Sequence, residues 1–261
     1  MALFRLAYHF FRVGAMNELQ YRVNFFLQLL QSAVALGVGL IGLGLVFSHT
    51  TSLVGWSQPE LLAVMGVHIV MGGLIQAIIQ PNMQRLMEDV QQGTLDFALT
   101  KPEDAQVLVS VREIRIWQLV NVLVGAVVIG VAVAQIGDRV GVGEALIFAV
   151  TLLLGSLMIY SFWLILTSVS FWVVRVDEMV NLFEGVYAAG RWPVGIYPGW
   201  LQGLLTFIVP VAFAVTVPAE ALTGRLNLST LGLAAAVAAG LLLLARLIWR
   251  LGLRHYGGAS A

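Results

Sequence analysis

Hydrophobic positions along the chain gather into long runs, and polar positions gather between them. Residues 25–47 form the first run, followed by a short polar loop, 49–58, without Lys or Arg. Ser57 is placed to cap the next helix, with Pro59 in its first turn, where a missing N–H costs nothing. The second run covers 60–80, and a long polar stretch, 81–115, separates it from a third at 116–136. After a tight turn at 137–143, the fourth run, 144–172, is long enough to require tilt or protrusion. The last covers 229–249 and ends among Arg246, Arg250 and Arg254. About 20 apolar residues in a helix cross roughly 30 Å of hydrocarbon. The pattern therefore predicts an all-α, polytopic membrane protein, with residues 1–261 forming a single transmembrane domain.

Two regions need more than hydropathy. Residues 1–23 place Arg5, His9 and Arg12 on one helical face and Leu3, Leu6, Phe10 and Val13 on another. That suits a helix lying in the headgroup region. It does not suit a cleavable leader, because the apolar run beyond it far exceeds a leader's core of roughly 7–15 residues. Between 177 and 228 two six-span arrangements fit. One takes 200–218, the more apolar window, as the fifth span. The other takes 177–198, despite Glu184 and Arg191, and folds 199–223 as an outer re-entrant segment. Three features favour the second. Pro198, Gly199, Gly203, Pro210 and Pro218 interrupt the apolar window, and broken backbone at membrane depth belongs to protein-lined re-entrant elements. Trp192, Tyr197 and Trp200 form an interfacial aromatic belt. Asp177 and Glu178 sit where a helix dipole favours negative charge.

Basic residues then orient the chain. With a cytoplasmic N-terminus, Arg5, Arg12, Arg22, Arg85, Lys101, Arg112, Arg115, Arg175, Arg246, Arg250 and Arg254 fall inside, and only Arg139 and Arg225 fall clearly outside. Such a bias predicts both termini in the cytoplasm and a multi-pass protein of the cell (inner) membrane.

Composition narrows the chemistry. Apolar residues make up 59% and charged residues 11%, against about 25% charged in a soluble domain. Net charge is zero, which leaves no basic footprint for nucleic acid. The absence of cysteine removes disulfides and thiolate chemistry. His9, His49, His68 and His255 are scattered, without metal-ligand spacing. Glu88-Asp89, Glu103-Asp104 and Asp177-Glu178 are sequence neighbours, and on a helix such neighbours diverge by about 100°, a poor arrangement for acid–base work. The sole lysine, Lys101, stands in Thr-Lys-Pro, and no phosphate-binding loop is present. No catalytic site, cofactor or metal is expected.

Three features invite a functional reading. In the 81–115 stretch, residues 84–92 read as a helix with Arg85 four before Asp89. Gly93 then ends it in a left-handed conformation. The amphipathic piece Leu95, Phe97, Ala98 and Leu99 follows, until Pro102 stops it. Exposed apolar residues on such a piece can be gripped by a partner; the alternative is an ordinary solvated loop. Glu184 and Arg191, with Tyr187 and Ala188 between them, share a helical face about 10 Å apart along the axis. They must avoid lipid, so they face a dimer seam or a wet cavity, pair with each other, or let Arg191 snorkel outward. Finally, polar stripes mark three runs: Gln28, Gln31, Ser32, Ala35 and Gly39; His68, Gly72, Gln76 and Gln80; and Gln118, Asn121, Gly125 and Ala132. Amides and small residues at such spacing favour close helix packing, with a transport path as the alternative.

The order of parts resembles the membrane subunit of a type-2 ABC exporter. Two local stretches carry the likeness. Glu88-Asp-Val-Gln-Gln-Gly93-Thr94-Leu95-Asp96-Phe97-Ala-Leu-Thr-Lys101-Pro102 is similar to the E-x-x-x-G-x-L-[DE]-x-L-L-x-x-P segment that these permeases carry between their second and third spans. Gly190-Arg191-Trp192-Pro193 through Pro198, then Pro210 to Pro218, is similar to their Pro-rich outer segment. More narrowly, the chain resembles the branch whose permeases are commonly encoded in pairs, some linked to export of toxic organic cations. The resemblance implies a passive half-channel that works with a second permease, identical or paralogous, and with cytoplasmic ATP-binding subunits. It also implies that Gly93, Thr94, Leu95, Asp96, Phe97, Lys101 and Pro102 couple to the ATPase, and that Glu184, Tyr187 and Arg191 line the pathway or dimer seam. A secondary transporter driven by an ion gradient is the alternative; it favours inverted repeats and acids deep in several spans, of which Glu184 alone qualifies.

Overall fold

The structure, a computed structural model, describes residues 22–137, 140–172 and 178–257. The interfacial helix expected over residues 1–23 falls outside them except for its last two residues, and Arg139, Arg175 and Asp177 also lie outside. Ten helices follow one another among the described residues: α1 (Arg22–Phe47), α2 (Gln58–Gln91), α3 (Asp96–Leu99), α4 (Ala105–Ser110), α5 (Leu119–Ile136), α6 (Val142–Ser168), α7 (Glu178–Ala189), α8 (Gly199–Ile208), α9 (Ala212–Leu222) and α10 (Leu228–His255). Among the described residues no strand forms beyond an isolated bridge between Leu53 and Trp56. Five helical segments among the described residues are long and apolar enough to cross a membrane, Val23–Phe47, Gln58–Gln91, Ile116–Ile136, Val142–Phe171 and Leu228–His255, and the bent pair Gly199–Ile208 with Ala212–Leu222 makes six if it counts as one span. The protein is an all-α, multi-pass membrane protein.

The second helix does not stop at Gln80. Pro81 has no N–H to give the Ala77 carbonyl, yet the helix runs on to Gln91. It does so by widening into a π turn at Ile75–Ile79, where the Gln80 N–H reaches the Ile75 carbonyl. The freed Ala77 carbonyl is taken by the N–H of Arg115 at 2.9 Å. Residues 81–91 are thus the last turns of a helix roughly 50 Å long, not a separate loop helix.

Glycines set the central packing. A Cβ on Gly125 of α5 would stand 2.7 Å from the Val70 nitrogen and 2.8 Å from the Gly66 carbonyl of α2, and one on Gly73 would stand 2.9 Å from the Val122 nitrogen. These backbones touch, as small residues at helix interfaces allow. On the other side α10 runs along α6, with buried Ala234 and Ala238 against Met158 and Phe213.

The region that divided the two six-span arrangements is neither a continuous helix over 177–198 nor one over 200–218. Helix α7 has 12 residues, about 18 Å of rise, which is shorter than the hydrocarbon. An irregular stretch with a single 3₁₀ turn at Val194–Ile196 follows. Then α8 and α9 meet at a 78° bend around Val209 and Pro210. Helix α9 docks where Gly155 of α6 leaves room for the Phe213–Ala214 backbone, and Val211 packs beside Gly190 at the end of α7. At the far end of α9, Arg225 clamps the segment to the start of α2. Its guanidinium donates to both Glu60 carboxylate oxygens at 3.0 Å and to the Gly55 carbonyl at 2.6 Å, over the face of Trp56.

Candidate functional site

Helix α7 lies against α2. The Tyr187 ring stacks on His68 with centroids 4.5 Å apart and on Phe183 at 5.8 Å, and its hydroxyl donates to the His68 carbonyl at 2.7 Å. Gly72, in the second polar stripe, lets the ring approach, since a Cβ there would already touch it at 3.4 Å. Tyr187 is thus first a strut that holds α7 in place; its edge also faces the cavity beside it.

That cavity, about 270 Å³, is a groove between α1, α2, α5 and α7. The polar stripes converge on it. Ser32, Ala35 and Gly39 come from α1, His68, Gly72 and Gln76 from α2, and Asn121 from α5, while Glu184, Tyr187 and Arg191 supply the α7 wall. An amide ladder lines its lower part. The Ser32 hydroxyl donates to Asn121 Oδ1 at 2.5 Å, and Asn121 Nδ2 donates to Gln118 Oε1 at 3.1 Å. Gln80 Nε2 donates to Glu184 Oε1 at 3.2 Å. Below it, Gln28, Gln31, Gln76, Gln80, Arg115, Gln118 and Glu184 surround a second recess. The third stripe divides: Asn121 faces the groove, while Gly125 is buried in the contact with α2. Glu184 on α7 and Arg191 in the turn beyond its end both line the groove, but no ion pair joins them among the described residues.

The other sequence motif forms a tight turn at the Gln91 end of α2. Gly93 has φ +70°, the left-handed geometry expected of it. Asp89, buried, organises the turn: its carbonyl accepts from Thr94 N at 2.9 Å and Leu95 N at 3.2 Å. Its carboxylate takes the Thr94 hydroxyl at 3.0 Å, Arg112 Nη1 at 2.5 Å and, four residues back, Arg85 Nε at 3.4 Å. Leu95 is fully buried and Ala98 nearly so, whereas Phe97 is 74% exposed. Leu99, Lys101 and Pro102 are exposed as well. The outward apolar surface is therefore Phe97 with Leu99, and Leu95 is its anchor in the core, a division that a four-residue helix does not reveal in sequence.

Two further attachments tie this turn to the bundle. Asn82, 1% exposed, donates to the carbonyls of Ile78 at 2.6 Å and Glu113 at 2.7 Å, and accepts the Glu113 N–H at 2.9 Å. Together with the bond from Arg115 to Ala77, this staples the end of the 81–115 stretch across the π turn. Asp104 pairs with Arg246 of α10, and that hydrogen bond holds its carboxyl below the usual carboxylate range. Neither Asn82 nor the buried role of Asp89 stands out in the pattern of apolar and polar positions. The available signals were a Pro-Asn pair inside a helical run and an acid four residues before the turn glycine.

A model of ABC-2 family transporter proteins matches residues 33–260. The chain belongs to the ABC-2 family. No curated relative and no solved structure matches it. As a family member the protein is a membrane permease subunit of an ABC transporter, and such subunits generally work with ATP-binding subunits.

Proposed function

We propose that this ABC-2 permease forms half of the export path of an ATP-driven transporter, with the α1–α2–α5–α7 groove as its share of that path. One observation carries the reading: three polar stripes and the charged face of α7 open onto a single groove, and one wall of that groove is the helix that ends in the Gly93–Pro102 turn. A rigid helix with a grip at one end and a cargo-facing wall at the other can convert a push into a change of groove shape. Phe97 and Leu99 are the surface that an ATP-binding subunit grips, with Gly93, Thr94, Leu95 and Asp96 shaping the turn and Lys101 and Pro102 closing it. Both termini face the cytoplasm of a cell (inner) membrane, residues 199–223 re-enter from the outer side, and a second permease, identical or paralogous, closes the groove. The cargo is an amphipathic small molecule; an organic cation, which the resemblance implies, is one such cargo.

The test is the double substitution Phe97→Asp with Leu99→Asp in the complex with its ATP-binding subunits. Copurification or transport-stimulated ATP hydrolysis is expected to fall at least tenfold with no change in the melting temperature of the permease. Normal transport by this variant, or transport driven by an ion gradient without the ATP-binding subunits, would refute the reading.

A further inference from the structure

The groove presents two opposite charges that do not neutralise each other. Glu184 and Arg191 lie seven residues apart, on α7 and the turn after it, and both line the cavity. Neither takes part in an ion pair among the described residues. Glu184 accepts one hydrogen bond, from the neutral amide of Gln80, and the Arg191 guanidinium donates none to a described residue. Charges within the membrane persist where they are paired, wet, or met by a ligand.

In a complex of two identical permeases, the second copy does not supply the missing counter-charges. Permeases that dimerise about an axis along the bilayer normal bring each residue opposite its own counterpart at the same depth. Carboxylate would face carboxylate at one level, and guanidinium would face guanidinium at another. An anionic cargo relieves only the upper level and a cationic cargo only the lower. We infer that the groove binds a zwitterion whose acidic end meets Arg191 and whose basic end meets Glu184. The lining also includes Ala35, Leu36, Met65, Ile69 and Ala188, apolar side chains that suit a short aliphatic body beside the polar groups of His68 and Asn121. A cavity of about 270 Å³ admits a small solute or the headgroup of a lipid. The inference narrows the cargo class of the proposed function and rests on the groove being the path.

Its test needs no ATPase. The full-length chain in uncharged dodecyl maltoside micelles is titrated with 6-aminohexanoate, hexylammonium and hexanoate, probes of one chain length that differ in charge, and binding is read by saturation-transfer NMR. 6-Aminohexanoate is expected to bind at least tenfold more tightly than either other probe. Arg191→Gln should erase its advantage over hexylammonium while leaving hexylammonium affinity unchanged. Glu184→Gln should do the same with respect to hexanoate. Each unchanged affinity doubles as proof that the variant's groove is folded. Displacement by glycerophosphoethanolamine would identify a lipid headgroup as the source of the zwitterion; its failure to displace would leave a free, longer zwitterion. Equal affinities for the three probes, or variants that weaken all three alike, would overturn the inference. ATP coupling could survive that result, and the zwitterion preference could survive a loss of coupling, so the two failures are distinguishable.

Discussion

Asn82→Ala tests most directly whether the turn and the π segment of α2 are one mechanical unit. The substitution removes three hydrogen bonds, at 2.6, 2.7 and 2.9 Å, from a side chain that is 1% exposed. A typical net contribution is about 1 kcal/mol per bond. Glu113 is exposed, so water reaches its freed N–H and carbonyl, and the total stays near 2–3 kcal/mol rather than the full desolvation cost. For a chain of this size, about 2–4 °C per kcal/mol gives a fall of roughly 4–12 °C, which is readable from intrinsic tryptophan fluorescence. Asn82→Asp sharpens the test. It keeps the side-chain size and the acceptor for Glu113 N–H but turns an oxygen toward two carbonyls, so it should destabilise at least as much as alanine. Hydrogen exchange provides the local readout: the Glu113 and Arg115 amides, bound to Asn82 and Ala77, should be protected in the wild type and exchange at least tenfold faster in both variants. A melting temperature within a degree of wild type, together with unchanged exchange at these two amides, would refute the staple.

Other expectations follow from single contacts. Gly125→Ala places a methyl against the backbone of α2 and should cost about 1–3 kcal/mol by overpacking, seen as a lower melting temperature; full tolerance would mean that α2 and α5 are not in backbone contact. Arg225→Gln removes the cationic partner of the mostly buried Glu60 carboxylate and leaves it with its hydrogen bonds from Ser57. Because the guanidinium itself is partly exposed, the usual cost of breaking such a pair is discounted to roughly 1–3 kcal/mol, and Glu60→Gln should partly rescue it in a melting series. The depressed pKa of Asp104 contributes stability above the ordinary carboxylate value of about 4, and this contribution is lost as pH falls through the folded value. Asp104→Asn should therefore lower the melting temperature at pH 7, by an amount that shrinks as pH falls through the folded value; a pH-independent effect would refute the pairing. Because the chain has no cysteine, single Gly203→Cys and Thr223→Cys variants can be probed with an impermeant maleimide. Labelling of both from the outside is expected for a re-entrant 199–223, and labelling of either from the cytoplasm would refute it.

Much of the architecture was legible in the chain because it depends on local chemistry. Long runs without charge cannot be anything but membrane helices or buried core, and their ends lie close to where polar residues and caps begin. The left-handed turn at Gly93 and the pairing of Arg85 with Asp89 follow from neighbours a few residues apart, so sequence spacing alone contains them. That Glu184 and Arg191 both reach the groove does not follow from helical periodicity, because α7 ends at Ala189.

What the sequence left undecided involves partners distant along the chain. Pro81 looks like the end of a helix until the Arg115 N–H is seen to satisfy the carbonyl it abandons. Leu95 and Phe97 are both apolar, one capping and one inside the same short helix. Only the core into which Leu95 inserts makes one an anchor and the other a surface. The hydropathy of residues 178–223 admits two placements of the fifth span, and the fold there is a 12-residue helix followed by a pair bent by 78°, with Gly155 and Gly190 leaving room for α9 to approach. The amides and small residues of three stripes are alike in sequence. Packing divides them, burying Gly125 against α2 and turning Asn121 toward the groove. By itself, then, the sequence determined which segments are helical and apolar enough for the membrane, because solvation energy is summed residue by residue. Tertiary structure decided which faces meet, because a helix face has no function until another backbone comes close enough to cover it or leave it open.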